Sequence, residues 1–359
     1  MSEAIVKLFC DMVRIDSESG NEEKFIDYLS GLLETELGAK CSRDSYGNLV
    51  ARIAAKNSAS NEPILLVAHA DTVKPGVGIA PKVEGGVISS SGDTILGADD
   101  KAGIAEIIEG IKAADRHPPL EIAITKSEET GLLGSKNLDL GLIKSKRGFV
   151  VDGDDLDAII IGGPSYIALD VEITGKAAHA GMEPEKGISA IKVAAKALAE
   201  MPEGRIDDET TANMGIINGG MIRNSVPEVV SVKGECRSLN HEKCEKQAQV
   251  MKTAFEKAAK EMGAKVDITT ELQFKAARIS EDAAVVNLAK QAVTAAGLEP
   301  KAQVITGGTD ALVLSGRGID SVVIGFGGKD AHTKDEHIAV ADMESGARVI
   351  CSLLELAAS

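Results

Sequence analysis

The chain has 359 residues, 44% of them hydrophobic, enough to bury a full core in one large domain or two of ordinary size. Its 39 Lys and Arg against 55 Asp and Glu give a formal charge of −16, a field that repels nucleic acid and anionic membranes, so neither is expected as a partner, while an acidic pocket suits cations. Five scattered cysteines (Cys10, Cys41, Cys236, Cys244, Cys351) without CxxC spacing indicate neither a disulfide framework nor a thiolate zinc site, and reduced thiols of a cytoplasmic protein are the expectation.

Residues 1–12 mix Glu3, Lys7 and Asp11 with apolar residues at helical spacing, so a first helix over 4–13 is expected in place of a signal peptide. A second helix is expected to start from Asn21 as N-cap and to bury Phe25, Ile26, Leu29, Leu32 and Leu33. Short apolar runs at 65–68, 122–125, 149–151 and 322–325 read as buried strands, and helices are expected at 102–114, 283–296 and 343–356. Apolar strands alternating with helices make an α/β sheet covered on both faces. No apolar run approaches the roughly 18 residues that cross a bilayer.

A different texture begins at Tyr166. The order there is strand (167–174), helix (187–200), strand (213–217), strand (229–237), helix (242–262), strand (266–271), a βαββαβ unit of ferredoxin-like type. The α/β texture then resumes with a strand at 302–305. The expected architecture is therefore a discontinuous α/β domain, residues 1–165 and 275–359, with a mixed, largely parallel sheet flanked by helices, and an inserted α+β domain over 166–274. Neither internal repeats nor low-complexity stretches interrupt it.

In open α/β sheets ligands bind outside the carboxyl ends of the strands. The first run leads into His69-Ala70-Asp71, the second into Glu128-Glu129, the third into Asp152-Gly153-Asp154-Asp155, and the last, through a glycine-rich loop, into His332. Between the first two, Asp99-Asp100 opens a helix. Singly these signals are weak, because a lone histidine after a strand is usually a hydrogen-bonded structural residue and an Asp pair opening a helix is usually a cap. Together they are not, since carboxylates a few ångströms apart cannot all ionise without cations. Imidazole with carboxylate is the donor set of a zinc or mixed divalent site.

His69-x-Asp71-Thr72-Val73, Gly97-Ala98-Asp99-Asp100-Lys101-Ala102-Gly103, Glu128-Glu129-Thr130-Gly131, Asp152-Gly153 and Ala331-His332-x-x-x-Glu336 resemble, in order and spacing, the di-zinc peptidase family that contains peptidase T, acetylornithine deacetylase, succinyl-diaminopimelate desuccinylase and glutamate carboxypeptidase. The resemblance spans essentially the whole chain. It implies two divalent ions, zinc first with cobalt or manganese as alternatives, bridged by Asp99, with His69 and Asp152 on one and Glu129 and His332 on the other. Asp71 would orient His69, Glu128 would be the general base and acid, and the Asp99-Asp100 bond would be cis. The inserted domain would be a lid and dimerisation domain, consistent with a homodimer through its edge strands. Its Gly175 to Gly181 motif resembles the family's lid, where His179 would bond the developing oxyanion, within its own chain or across a dimer. Asn224 and Arg237 resemble the substrate clamp, the planar Arg fork suiting a carboxylate. Gly308, in Gly307-Gly308-Thr309-Asp310, resembles a loop facing the substrate, with helix N–H groups able to hold an anion.

Asp152 stands where the deacylases and glutamate carboxypeptidase resemble one another in using Glu. Aminopeptidase-type members, including peptidase T, look like this chain at that point. The expected function is thus an aminopeptidase on di- or tripeptides. The alternatives are an N-acyl amino acid deacylase or carboxypeptidase of the same chemistry, and a non-catalytic metal-binding or peptide-binding protein, whose mark would be a missing Glu128 or a broken ligand set.

Overall fold

The computed structural model describes residues 2–359. The described chain divides into two compact units. One runs to Gly162 and includes Arg278–Ile305 and Thr309–Ser359; the other comprises Gly163–Ala277 with Thr306–Gly308.

The first unit is built on a sheet whose order is Lys40–Arg43, Leu49–Ile53, Leu120–Thr125, Ile64–His69, Arg147–Gly153, Asp320–Gly325 and Ala158–Gly163, with Lys301–Val304 pairing the last. Its four central strands, Leu120–Thr125 to Asp320–Gly325, are mutually parallel, and the outer pairs add antiparallel neighbours. Side chains alternate faces along a strand. Leu66, Ala68, Ile122, Ile124, Phe149 and Val151 enter one core, and Leu65, Val67, Ala123 and Val150 enter the other. Both faces being buried explains why the central strands are continuous apolar runs in the sequence.

Helices Ser2–Val13, Ala98–Ala113, Ala284–Ala295 and Val340–Ala357 supply the larger core with Phe9, Ile104, Val286 and Ile350. The second helix, Glu23–Leu37, starts with Glu22 in the N-cap position instead of the expected Asn21, and no side-chain cap bond is made there. The Ala98–Ala113 helix is interrupted at Asp99 and Asp100, whose backbone is non-helical. Glycine is required at Gly103, because a Cβ there would meet the Val151 carbonyl and the Asp100 carboxylate.

Several elements had no advance signal. Lys40–Arg43 is a polar edge strand with exposed ends and a half-buried centre, and His337–Ala339, Val87–Ser90 and Pro81–Glu84 form a separate small sheet.

The second unit is ferredoxin-like. Strands Thr210–Gly219, Val229–Ser238, Ser165–Thr174 and Lys265–Phe274 lie in that order, all antiparallel, and helices Ala190–Glu200 and His241–Met262 pack Val193, Met251 and Phe255 against them. The first of these helices starts at Ala190, three residues after the expected Gly187, because the Ser189 side chain accepts from Lys192 N–H and a 3₁₀ turn occupies Pro184–Lys186. No helix among the described residues is long and apolar enough to cross a membrane.

One buried charge stands apart from the sheet edge. Glu106, on the Ala98–Ala113 helix, is fully buried against Gly346, where a Cβ would collide with the carboxylate, and both its oxygens lack hydrogen-bond partners. Burial first, then the Asp342 charge, pushes its carboxyl well above the usual range. A folded-state pKa above the unfolded one means that the folded chain binds the extra proton, so stability falls as pH rises above the unfolded value. Glu106→Gln should therefore stabilise the protein by about 1–3 kcal/mol at about pH 8 and by less at about pH 4.5, measured by denaturant unfolding at both.

Candidate metal centre

The parallel pairing that sets His69 opposite Thr125, and Arg147–Gly153 between its two parallel neighbours, brings four strand ends to one edge of the sheet. There His69 Nε2 lies 2.8 Å from Asp99 Oδ1 and 3.7 Å from Asp152 Oδ1. His332 Nε2 lies 3.1 Å from Asp99 Oδ2 and 2.9 Å from Glu129 Oε1. The two imidazoles thus face the two oxygens of one carboxylate, each with a further acid beside it.

The backbone around these groups is held by buried carboxylates. Asp71 accepts Glu128 N–H at 2.9 Å and Glu129 N–H at 3.2 Å on its two oxygens, and the Ser19 hydroxyl at 2.7 Å. Its backbone carbonyl, 2.9 Å away, accepts from His69 Nδ1, with the Asp71 carboxylate at 3.5 Å, so the atom that fixes the imidazole most directly is main-chain oxygen. Glu336 accepts Leu96 and Gly97 N–H at 2.7 Å each and Asp99 N–H at 3.1 Å. Asp100 accepts His69 N–H at 3.1 Å, and the Asp99–Asp100 peptide is cis, as the motif implied. Ser127 and His332 hold left-handed backbone, φ 54° and 65°, which costs a non-glycine residue energy that the surroundings must offset.

Neither Asp100 nor Glu336 was among the expected site residues. Glu336 stood in the quoted motif, but a single glutamate four residues after a histidine gives no sign that its carboxylate will return to residues 96–99.

The electrostatics are those of acids and imidazoles crowded together. Asp99 is held well below the usual carboxylate range: burial would raise it, but the two imidazoles more than offset that. His332 is pushed up to about 11, by Asp99 first and then Glu129. Burial would lower His69, yet hydrogen bonds with Asp152, Asp71 and Asp99 carry it well above its ordinary value. Burial and the Asp99 charge push Asp152 up to about 7, although His69 pulls the other way.

The donors suit a divalent ion. Ligand atoms of His69, Asp99 and Glu129 lie within 4.8 Å of one another, as do those of His69, Asp100 and Asp152. Glu129 Oε1 is buried without a hydrogen bond, its 2.9 Å approach to His332 being misaligned for one. With Nδ1 of His69 committed to the Asp71 carbonyl, Nε2 is the nitrogen left to face a cation.

The remaining expected residues belong to the second unit. His179 pairs with Ser225 in an isolated bridge, and Asn224 O accepts from Ala180 N–H at 3.0 Å, so His179 and Asn224 are brought together. The His179 Nδ1 accepts from Gly181 and Met182 N–H at 3.2 and 3.1 Å. Arg237 forks onto Glu235 with two 3.0 Å bonds, lies over the Tyr166 ring at 4.6 Å and donates to Thr306 O, two residues from Gly308. The helix after Gly308, Asp310–Gly316, is only seven residues long, and Thr309 caps it.

Residues 162–263 match a family model described as Peptidase dimerisation domain. An uncharacterized protein of Bacillus subtilis, YqjE, is 38% identical across 99% of this chain and 98% of its own length. A solved aminopeptidase PepT from Bacillus cereus is 38% identical with a TM-score of 0.90, covering 100% of this chain and 99% of that one. A solved tripeptidase from Staphylococcus aureus is 32% identical with a TM-score of 0.93 at the same coverages. With relatives this similar over its full length, the chain belongs to the peptidase T-like metallopeptidases of the M20 family.

Proposed function

We propose that this chain is a metal-dependent aminopeptidase that removes the N-terminal residue of short peptides, tripeptides foremost. The observation that carries the reading is the placement of His69 and His332 on opposite oxygens of Asp99. The relatives with aminopeptidase and tripeptidase names support the substrate class. Asp152, in place of the Glu that deacylases resemble, supports it further.

His69, Asp99, Glu129, Asp152 and His332 would hold two divalent ions, zinc or else cobalt or manganese. Bound there, the ions would polarise the scissile carbonyl and make water a better nucleophile. Glu128 takes the proton of the attacking water on its carboxylate and returns it to the leaving amine. Burial, and then the Asp152 charge, hold its carboxyl well above the usual range, the direction a general base at neutral pH requires. Asp71 fixes the backbone of Glu128 and Glu129 and abuts His69. His179 would hydrogen-bond the developing oxyanion, and Asn224, Arg237 and Gly308 would contact the substrate, Arg237 exchanging its Glu235 partner for a substrate carboxylate. The dimerisation-domain match supports a homodimer through the inserted domain, and the five unpaired cysteines support a cytoplasmic setting.

Product analysis on peptides of graded length with free and blocked ends should show release of the N-terminal residue from free tripeptides. Turnover confined to N-acyl amino acids or to C-terminal release would give the deacylase or carboxypeptidase reading instead. Glu128→Ala should retain two ions and lose about 10²–10⁴-fold in kcat; full turnover would require another base.

Zinc ligation needs neutral imidazoles, whereas the carboxylates around His69 and His332 raise both above their ordinary value. Adding zinc to metal-depleted protein at about pH 8 should then release protons. Titration calorimetry in buffers of different ionisation enthalpy reads this, and zinc binding without proton release would mean that the two imidazoles are already neutral before the ion binds.

A further inference from the structure

Glu22 is fully buried at the N-cap position of Glu23–Leu37, yet its carboxylate does nothing for that helix. A side chain at this position ordinarily accepts from the first-turn amides of its own helix. Here Oε1 instead accepts Ser127 N–H at 3.1 Å, the Ser127 hydroxyl at 2.9 Å and Gly20 N–H at 2.8 Å. The Lys126 ammonium stands 3.7 Å from Oε2. Two of the three donors come from a residue held in left-handed backbone immediately before Glu128.

The neighbouring amides complete the pattern. Ser127 N–H goes to Glu22, and Glu128 and Glu129 N–H go to the two oxygens of Asp71. Ser19, on the loop leading into Glu22, donates to Asp71, so both carboxylates are tied through one short segment. A buried carboxylate is costly unless bonded, and here Oε1 takes all three hydrogen bonds while Oε2 faces only the Lys126 ammonium. Removing this one leaves the Ser127 amide and hydroxyl without their acceptor and frees the turn to leave φ 54°.

We propose that Glu22 is a positioning residue that holds the Ser127 turn in the conformation presenting the Glu128 carboxylate to the reacting water. This rests on Glu128 being the general base. Glu22 touches none of the candidate metal donors, so its effect belongs to kcat and not to ion binding. Misplacing a reacting group by about an ångström costs on the order of 10²-fold in rate.

The test is steady-state kinetics on a tripeptide for Glu22→Ala, Glu22→Gln, Ser127→Ala and Glu128→Gln, with bound metal and thermal midpoint measured for each. Glu22→Ala should lower kcat by about 10- to 100-fold with KM and metal content unchanged. Glu22→Gln keeps an acceptor oxygen and should recover most of the loss. Should Glu22→Ala fail to fold, Ser127→Ala decides, with a several-fold loss of kcat at constant KM expected and an unchanged kcat overturning the proposal. Unchanged kcat in Glu22→Ala beside an inactive Glu128→Gln would overturn it while leaving the base intact. Loss of metal from Glu22→Ala, or Glu22→Gln as poor as the alanine variant, would overturn it too. An active Glu128→Gln is a different failure, that of the base itself.

Discussion

Repulsion among acids at one sheet edge is the constraint that shapes this molecule. Two unit charges 4 Å apart at an effective dielectric of about 20 oppose one another by about 4 kcal/mol, and Asp99, Glu129, Asp152 and Glu128 are gathered where the strands end. The same conflict shows in the titrating groups: Asp99 and its neighbours raise His69 and His332, and burial with nearby acids raises Asp152 and Glu128. Divalent ions, under the proposed reading, would resolve it with more charge in less space, a role suited to the imidazoles and carboxylates around Asp99.

A second population of acids has the opposite task. Asp71 and Glu336 are buried, but they spend both oxygens on backbone N–H groups, the arrangement in which a buried carboxylate is tolerated, and Glu22 does so with Oε1 while its Oε2 faces the Lys126 ammonium. Each fixes main chain beside a donor and leaves that donor's own side chain unencumbered. Acids facing cations and acids facing amides are adjacent yet chemically separate, as Glu129 and its Asp71-bound N–H illustrate.

The central strands were legible because burial on both faces makes them uniformly apolar, and His69, Glu129, Asp152 and His332 stood out because each comes after such a run, whereas Asp99 opens a helix. Lys40–Arg43 was not, since an edge strand of sequence Lys-Cys-Ser-Arg has no apolar side to display. Glu22 and Glu336 were silent for another reason: an isolated glutamate in a polar stretch is ordinarily solvated, and only the tertiary approach of Ser127 or of residues 96–99 reveals otherwise. Asp71 was half legible, its place beside His69 following from spacing while its grip on the Glu128 and Glu129 amides did not. Asn21 looked the better cap by residue type, but the helix begins one residue later around a glutamate engaged elsewhere.

The contact between Glu336 and the Leu96 to Asp99 backbone joins residues about 240 positions apart in the chain. Ribosomal synthesis proceeds from the other end, so His69, Asp99 and Glu129 emerge long before the segment that supplies His332 and steadies Asp99. A nascent polypeptide therefore carries an unfinished cluster until residues 332–336 have been made.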